Sequence, residues 1–150
     1  MRRTGVFLIL SLALICFVPL SVAAQASGQD GSSEHGESGF SLGQNYPNPF
    51  NPETRIPFHL GEALFVDGSD VVVSVRIFNM LQQFVAAPIA LDHPEAGEGP
   101  LIEVSYSQPG DYVAFWDGLD QTGREVASGV YFLQMVVNGH VQIKRIVVAK

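Results

Sequence analysis

The stretch that decides the fold is VYFLQMVVNGHVQIKRIVVA, residues Val130–Ala149. It holds two apolar runs, Val130–Val137 and Val141–Ala149, on either side of Asn138 and Gly139. Asn-Gly is the pair preferred in a type I′ turn, because both central residues of that turn need a positive φ. The stretch therefore predicts a β-hairpin.

Outward from this hairpin, glycines and prolines punctuate short apolar runs, and no convincing amphipathic helix is found. Several runs alternate apolar and polar residues, which is typical of a strand with one buried face. The other predicted strands are Ile56–Leu60, Val71–Phe78, Gln83–Pro88, Leu101–Tyr106 and Tyr112–Trp116. About seven strands with turn signals between them predict an all-β fold, an immunoglobulin-like β-sandwich. An up-and-down barrel is the alternative, which the uneven strands and loops disfavour.

Two of these strands allow more detail. Val71, Val73, Val75 and Ile77 occupy alternate positions, so they are predicted to line one buried face. Pro57 lies within the predicted strand Ile56–Leu60 and has no N–H to donate to a neighbouring strand. That strand is therefore predicted to lie at the edge of a sheet.

Three prolines crowd the segment QNYPNPFNP, Gln44–Pro52. Each fixes its own φ and pushes the preceding residue towards extended conformations, which predicts a stiff, non-helical entry into the first strand. Tyr46 and Phe50 are predicted to plug one end of the core, and Asn48 and Asn51 to cap the turns through their side chains. The functional alternative is a polyproline ligand, but a repeated PxxP pattern on an exposed tail is lacking.

The N-terminal 26 residues have the three-part pattern of a secretory signal peptide. Arg2 and Arg3 are positively charged, Gly5–Leu20 is apolar except for one serine, and Ala24–Ala26 offers the small residues that signal peptidase requires. An uncleaved membrane anchor is the alternative, although the run is short for a spanning helix of about 20 residues.

The chain is accordingly divided into three parts. Residues 1–26 are predicted to be the signal peptide, and residues 27–39, rich in Gly and Ser, a flexible linker. Residues 40–150 are predicted to form one folded domain, of a length that can bury a core.

Composition excludes several functions for the 124 residues that follow the signal. The only cysteine is Cys16, so a disulfide, a cysteine-based zinc site and a thiol nucleophile are excluded. Without Arg2 and Arg3, six Lys and Arg residues face 15 Asp and Glu residues, a formal net charge of −9. This charge argues against nucleic acid and anionic membrane surfaces as partners.

Catalysis finds no support in the pattern of residues. The four histidines are far apart, no serine lies in a nucleophile-elbow pattern, and no Gly-rich loop opens a helix. The segment Asp117–Gly123 (DGLDQTG) invites a calcium site, but its spacing does not match the loop of an EF-hand. We favour a tight connection in which Asp caps backbone N–H groups and Gly takes a positive φ. The chain is predicted to be no enzyme, with no catalytic residue, metal site or cofactor.

Three blocks of the sequence together resemble a known family. They are QNYPNPFNPETRIPFHL (Gln44–Leu60), VSVRIFNMLQQFV (Val73–Val85) and the terminal region Gly110–Lys150. In this order they resemble the type A sorting domain, the C-terminal module of proteins secreted by the type IX system. The longer version, with a Trp-Asp-Gly motif, also resembles the immunoglobulin-like domain of flagellar hook-capping proteins. The resemblance covers residues 40–150.

The resemblance identifies candidate site residues and a role. The residues that match the family's pattern are Pro47, Asn48, Pro49, Phe50, Trp116, Asp117, Gly118, Gly129, Tyr131, Lys144 and Lys150. The implied role is that of a secretion-targeting and surface-attachment module. The chain would be exported to the periplasm, fold there and be recognised by outer-membrane secretion machinery, with delivery to the cell surface or the medium. Removal of the module and attachment of the cargo to surface lipopolysaccharide would follow.

The C-terminal hairpin offers a physical handle for such recognition. Lys144, Arg145 and Lys150 are predicted to form a positive end on an acidic body. The alternative is a solvated strand edge on which lysine prevents edge-to-edge aggregation.

The chain also departs from the family's pattern. Gln82 stands where the family usually has glycine, which predicts a longer turn, and Gly61–Asp70 and Leu91–Gly99 are predicted to be enlarged loops. Only about 13 linker residues precede the domain where a sorting domain would normally follow a large cargo. The alternative function is a structural or adhesive immunoglobulin-like module that binds partners outside the cytoplasm.

Overall fold

A computed structural model describes residues 39–91, 93 and 99–150 of the chain. The predicted signal peptide and nearly all of the predicted linker lie outside the described residues. No helix among the described residues is long and apolar enough to cross a membrane. Apart from a 3₁₀ turn at Glu62–Leu64, the regular structure of the described part consists of strands.

Nine strands are formed by the described residues. They are β1 (Phe40–Leu42), β2 (Thr54–Leu60), β3 (Val71–Phe78), β4 (Phe84–Ala86), β5 (Ile89–Ala90), β6 (Val104–Tyr106), β7 (Gly110–Trp116), β8 (Gly129–Val137) and β9 (His140–Val148). Sheet A has the order β1-β2-β7-β5, and sheet B the order β4-β3-β8-β9 with β6 beside β3. All pairings between these strands are antiparallel. The predicted all-β, immunoglobulin-like β-sandwich is confirmed.

The core lies between the two sheets and follows the alternation seen in the sequence. Val71, Val73, Val75 and Ile77 are fully buried, as predicted. Burial of one such side chain stabilises a fold by about 1.5–3 kcal/mol. Facing them, β2 contributes Ile56 and other apolar side chains that share the same hydrophobic cluster. The period of two therefore places one face of each central strand in the core.

The C-terminal hairpin forms as predicted. Val137 pairs with His140, which leaves Asn138 and Gly139 as the two central residues of the turn. Their φ values are 47° and 86°, both positive as a type I′ turn requires. The Asn138 side chain also accepts a hydrogen bond of 3.0 Å from the N–H of Val72. This contact ties the turn to β3.

The number of strands differs from the predicted seven for a local reason. The predicted run Gln83–Pro88 contains only β4 in sheet B, and the chain directly after the run forms an additional short strand, β5, in sheet A. The chain crosses between the sheets at Pro88, whose carbonyl accepts from the N–H of Leu101 at 2.7 Å. The other additional strand, β1, has only three residues, too few to show a period of two.

The prediction of an edge position for the strand that contains Pro57 is wrong. β2 lies between β1 and β7. The carbonyl of Pro57 faces β1 and accepts from the N–H of Gly43 at 2.8 Å, so its missing N–H faces the same side. Ladder pairing with β1 ends at Leu42, which pairs with Phe58. The absent donor therefore falls where the neighbouring strand has already ended, and an internal strand tolerates the proline.

Gln82 takes a glycine-like conformation in the β3–β4 turn. Its φ is 59°, in the left-handed region, and its N–H donates to the carbonyl of Asn79 at 3.0 Å. The Asn79 side chain accepts from the N–H groups of Leu81 and Gln83. These bonds stabilise Gln82 in a left-handed conformation that is unfavourable for residues with a Cβ atom.

We expect Gln82→Gly to stabilise the domain by about 0.5–1 kcal/mol, because glycine adopts positive φ freely and only part of that gain is offset in the unfolded chain. Urea unfolding followed by the fluorescence of Trp116, the only tryptophan, measures the change. Gln83→Gly is the control, since its φ is not positive and glycine there should destabilise. A loss of stability in Gln82→Gly would contradict the prediction.

Candidate functional site

The first and the last of the three sequence blocks that carry the resemblance meet at one end of the sandwich, here called the motif end. It is built from the aromatic side chains of Phe50, Trp116 and Tyr131. The rings of Phe50 and Trp116 are edge-to-face with centroids 5.3 Å apart, and those of Trp116 and Tyr131 are 6.0 Å apart. Their exposed fractions are between 2 and 9%, so the three rings form one buried unit. Residues distant in sequence are thus brought into direct contact.

A second contact joins the Trp-Asp-Gly motif to the proline segment. Gly118 has a φ of 78°, and a Cβ atom built on it would lie 2.3 Å from the carbonyl oxygen of Pro52. That distance is far below any real Cβ contact, so only glycine fits between the two backbones. The indole N–H of Trp116 donates to the carbonyl of Leu119 at 2.8 Å, which fixes the ring over the following loop.

The proline segment also pairs with the last strand. The N–H of Phe50 donates to the carbonyl of Val147 at 3.1 Å, and the carbonyl of Phe50 accepts from the N–H of Ala149 at 3.0 Å. Asn48 adds a side-chain bond, accepting from the N–H of Val147 at 3.1 Å. The segment therefore covers the outer edge of the C-terminal half of β9.

Two predictions for this segment need correction. Phe50 plugs the core as predicted, but Tyr46 is 49% exposed and does not. Asn48 bonds to β9 rather than capping its own turn. The turn is held by Asn45, a buried residue that the sequence analysis missed. Its amide donates to the carbonyl of Pro47 at 3.1 Å and to the hydroxyl of Thr54 at 3.0 Å.

The Gly-x-Tyr motif has a structural role at the start of β8. The hydroxyl of Tyr131 donates to the carbonyl of Ala127, four residues earlier, at 2.9 Å. This is the geometry of the tyrosine corner of immunoglobulin-like domains. A second corner occurs at the start of β7, where Tyr112 donates to the carbonyl of Gln108 at 2.8 Å. Partial burial raises the pKa of Tyr112. Gly-x-Tyr occurs at residues 110–112 and 129–131, and this repeat could have identified both corners from the sequence.

Tyr131→Phe should lower the free energy of unfolding by about 1–1.5 kcal/mol, because it removes a hydrogen bond that a buried side chain donates to the carbonyl of Ala127. Tyr112→Phe is the matched control: its hydroxyl makes the same bond at a more exposed place, and we expect a loss of about 0.5 kcal/mol. Urea unfolding of both variants gives the comparison. Equal losses would show that burial does not set the strength of the corner.

The acidic loop Asp117–Gly123 is held by its own hydrogen bonds. Asp120 accepts from the N–H and the hydroxyl of Thr122, at 2.8 and 2.6 Å, and from the N–H of Arg124 at 3.1 Å. These bonds, first among them that of the Thr122 hydroxyl, lower the pKa of Asp120. Asp117 accepts from the N–H of Leu119 at 2.9 Å. The predicted tight connection is confirmed. In the described part of the chain, no three His, Cys, Asp or Glu residues are grouped to hold a metal ion.

The two lysines of the motif occupy different places. Lys150 lies at the motif end, where its ammonium bonds to the carboxylate of Glu125 at 2.8 Å and its N–H to the hydroxyl of Ser128 at 3.1 Å. This hydrogen bond and the positive charge of Lys150 lower the pKa of Glu125. Lys144 lies six residues earlier in the strand, about 20 Å away at 3.3 Å per residue.

The prediction of one positive end is therefore wrong. Lys144 and Arg145 are consecutive strand residues, so their side chains point to opposite faces. Lys150 is a member of an ion pair instead of a free charge. Of the motif residues, those of the proline segment, Trp116, Asp117, Gly118, Gly129, Tyr131 and Lys150 belong to the motif end, and Lys144 does not.

A groove of about 550 Å³ adjoins the motif end. Its apolar wall includes Phe84 and Ile102, and Asp117 and Asp120 lie on its polar side. The groove offers an apolar surface beside two carboxylates, both of which accept hydrogen bonds from their own loop.

No protein-family model matches the sequence, and no curated protein matches it. Among solved structures, the chain is similar to part of the crystal structure of dimeric latent PorU from Porphyromonas gingivalis, at 20% sequence identity and a TM-score of 0.47. The similarity covers 73% of this chain and 9% of that chain, so this chain spans a small part of the length of PorU.

Proposed function

We propose that this chain is a non-catalytic, secretion-targeting and surface-attachment module of an exported bacterial protein. In this proposal the signal-like residues 1–26 lead to the periplasm, the domain folds there, and type IX machinery of the outer membrane recognises it. Removal of the module and transfer of its passenger to surface lipopolysaccharide belong to the same proposal. It rests on the resemblance of three sequence blocks to type A sorting domains.

The observation that supports the proposal is the assembly of the first and the last of those blocks at the motif end. Phe50 comes from the first block, Trp116 and Tyr131 come from the last, and the three rings share one buried aromatic unit. Pro52 and Gly118 meet backbone to backbone. A pattern spread over some hundred residues can serve as one address when folding gathers it in one place. The motif end is such a place.

The experiment is fractionation of cells that carry a passive reporter upstream of residues 27–150, behind the native signal. The host possesses a type IX system, and a translocon-deficient strain is the control. We expect the reporter on the surface or in the medium, and its loss from both in the control strain. A reporter held in the periplasm of both strains would refute the targeting role in that host.

The burial of side chains in β9 determines which variants can test the targeting role. Deletion of the final strand would remove Ile146 and Val148, which are almost completely buried, and would unfold the domain. Point substitutions keep the fold. Lys144→Ala tests a residue of the motif that lies outside the motif end, and Arg55→Ala, an exposed change in sheet A, is its control. If Lys144→Ala lowers export and Arg55→Ala does not, the result would assign recognition to β9.

A structural or adhesive module is the second candidate function. The observation in its favour is the exposure of Val141 and Ile143, 51 and 58% respectively, on the last strand. Apolar side chains exposed together are typical of a surface that binds another protein. This function predicts unchanged export and loss of partner binding when those side chains are replaced.

A further inference from the structure

Two sheet edges in the described part of the chain, those of β1 and β4, have outward backbone groups that are hydrogen-bonded to residues outside their own sheet ladders. At β1, the side-chain amide of Gln142 accepts from the N–H of Leu42 at 2.8 Å and donates to the carbonyl of Phe40 at 2.9 Å. At β4, the N–H of Gln121 donates to the carbonyl of Val85 at 2.8 Å. Such covering blocks the addition of another strand.

The C-terminal half of β9 is covered in the same way. In this strand the even-numbered residues from His140 onwards bond to β8, so the odd-numbered ones direct their backbone groups outwards. Phe50 and Asn48 occupy the outward groups of Val147 and the N–H of Ala149. The covered stretch ends near Arg145, whose carbonyl accepts from the side chain of Gln44 at 3.3 Å.

The first half of β9 has no such cover. Val141 and Ile143 direct their N–H and C=O groups outwards, and no partner for these groups is found among the described residues. Their side chains lie on the outer face of sheet B, more than half exposed. Ile143 also borders an outer groove of about 450 Å³ with Phe78 and Phe132. An uncovered apolar edge of this kind is a template for an added strand.

Charge indicates which strand would fit. Lys144 and Arg145 follow directly, and neither forms an ion pair with a described residue. The body of the domain is acidic, with twice as many Asp and Glu as Lys and Arg over residues 39–150. A second copy of β9 would bring its own Lys144 and Arg145 to the same edge, and like charges across strands are destabilising. Arg145 lies on the same outer face as Val141 and Ile143, and Lys144 lies on the opposite face. An incoming strand whose apolar side chains pack on Val141 and Ile143 would therefore complement Lys144 with acidic side chains at the alternate positions.

We propose that His140–Lys144 of β9 is a docking site for an extended segment of a partner polypeptide with alternating apolar and acidic side chains. The segment adds as a strand beyond β9. Its backbone bonds to the outward groups of Val141 and Ile143, and its apolar side chains pack on theirs. Its acidic side chains alternate with the apolar ones, so they lie on the opposite face of the added strand and pair with Lys144. This site serves a targeting or an adhesive module alike, so the inference does not depend on the export role.

The test uses the protein and a fluorescent peptide of alternating valine and glutamate, with an alternating valine and lysine peptide as the charge control. Fluorescence anisotropy measures affinity, and hydrogen exchange measures protection of individual amides. We expect the glutamate peptide to bind more tightly and to slow exchange at Val141 and Ile143. Protection of Val147 should not change, because its N–H is already bonded.

Substitutions place the binding on the edge. Lys144→Glu should weaken binding of the glutamate peptide about tenfold and favour the lysine peptide, since an attraction across strands becomes a repulsion. Arg55→Glu, an exposed change on a strand of the other sheet, should leave both affinities unchanged. Ile143→Pro removes an outward N–H that the β8–β9 ladder does not use and should abolish binding. If that variant fails to fold, Lys144→Glu still decides.

Three results would overturn the proposal. One is failure of the glutamate peptide to bind at its solubility limit. Another is equal affinity for the two peptides, or no response to Lys144→Glu. The third is a dimer of the protein alone, seen by sedimentation, in which Val141 and Ile143 are already protected, since a second copy would then occupy the edge.

Discussion

Gly118→Ala is expected to lower the free energy of unfolding by about 3 kcal/mol, from two causes that add. A positive φ costs a residue with a Cβ about 1–2 kcal/mol. The Cβ would also stand 2.3 Å from the carbonyl oxygen of Pro52, and relief of such a clash costs about 1–3 kcal/mol. Because the obstacle is backbone, no side chain can rotate away. Urea unfolding followed by Trp116 fluorescence measures the loss.

Gly123→Ala separates the two causes. Its φ is 79°, almost that of Gly118, but no atom lies within 4 Å of an added Cβ. We expect this control to lose about 1 kcal/mol, the cost of the conformation alone. Equal losses in the two variants would refute the close approach of Gly118 to Pro52, and with it the link between the Trp-Asp-Gly motif and the proline segment.

The features predicted correctly from the sequence are those that short-range patterns determine. Alternation over Val71–Phe78 marks the buried face, because strand geometry turns successive side chains to opposite sides. Asn138 and Gly139 mark the hairpin turn, because few residue pairs tolerate two positive φ values. The tight acidic loop follows from the ability of Asp120 to cap nearby N–H groups. Each of these depends on residues within a few positions of one another.

The features that the sequence analysis missed depend on distant contacts. Pro57 is tolerated in an internal strand only because β1 ends beside it, and the sequence of β2 contains no trace of that ending. Gln142 covers β1 from a position some hundred residues later. Asn45 is buried because Thr54 and the carbonyl of Pro47 are there to bond it. Polar residues of this kind look exposed in a sequence, since burial depends on the partner.

The candidate site shows the same division. The motif residues were identified by resemblance, but which of them form a unit is decided by the fold. Lys144 lies in β9 and Lys150 two residues beyond its end, yet one is near the uncovered half of β9 and the other is in an ion pair at the motif end. Spacing along a strand could have separated them, because six residues of extended chain span about 20 Å. The pairing of Lys150 with Glu125 could not have been predicted.

Phe50→Ala is expected to have the largest effect, a loss of about 3–5 kcal/mol in the free energy of unfolding. The ring is 2% exposed and packs edge-to-face on Trp116, so truncation leaves a cavity as well as lost apolar burial. A typical domain has only about 5–15 kcal/mol of stability, so the variant should be close to unfolding at ambient temperature. Thermal unfolding by circular dichroism is the suitable measurement, because Trp116 fluorescence itself responds to the loss of its neighbour.

Tyr46→Ala is the matched control, since it removes an aromatic ring from the same segment at a site that is 49% exposed. We expect it to cost less than about 1 kcal/mol, as exposed substitutions usually do. The backbone of Phe50 bonds to β9 in both variants, so the difference between them isolates the ring. If Tyr46→Ala proved as costly as Phe50→Ala, the stability of this end would lie in the stiffness of the proline segment and not in the aromatic unit. A clear difference would show that the proline segment holds the motif end together through the ring of Phe50. Reporter export by the two variants, measured at a temperature where both are folded, would then test whether recognition needs the intact aromatic unit.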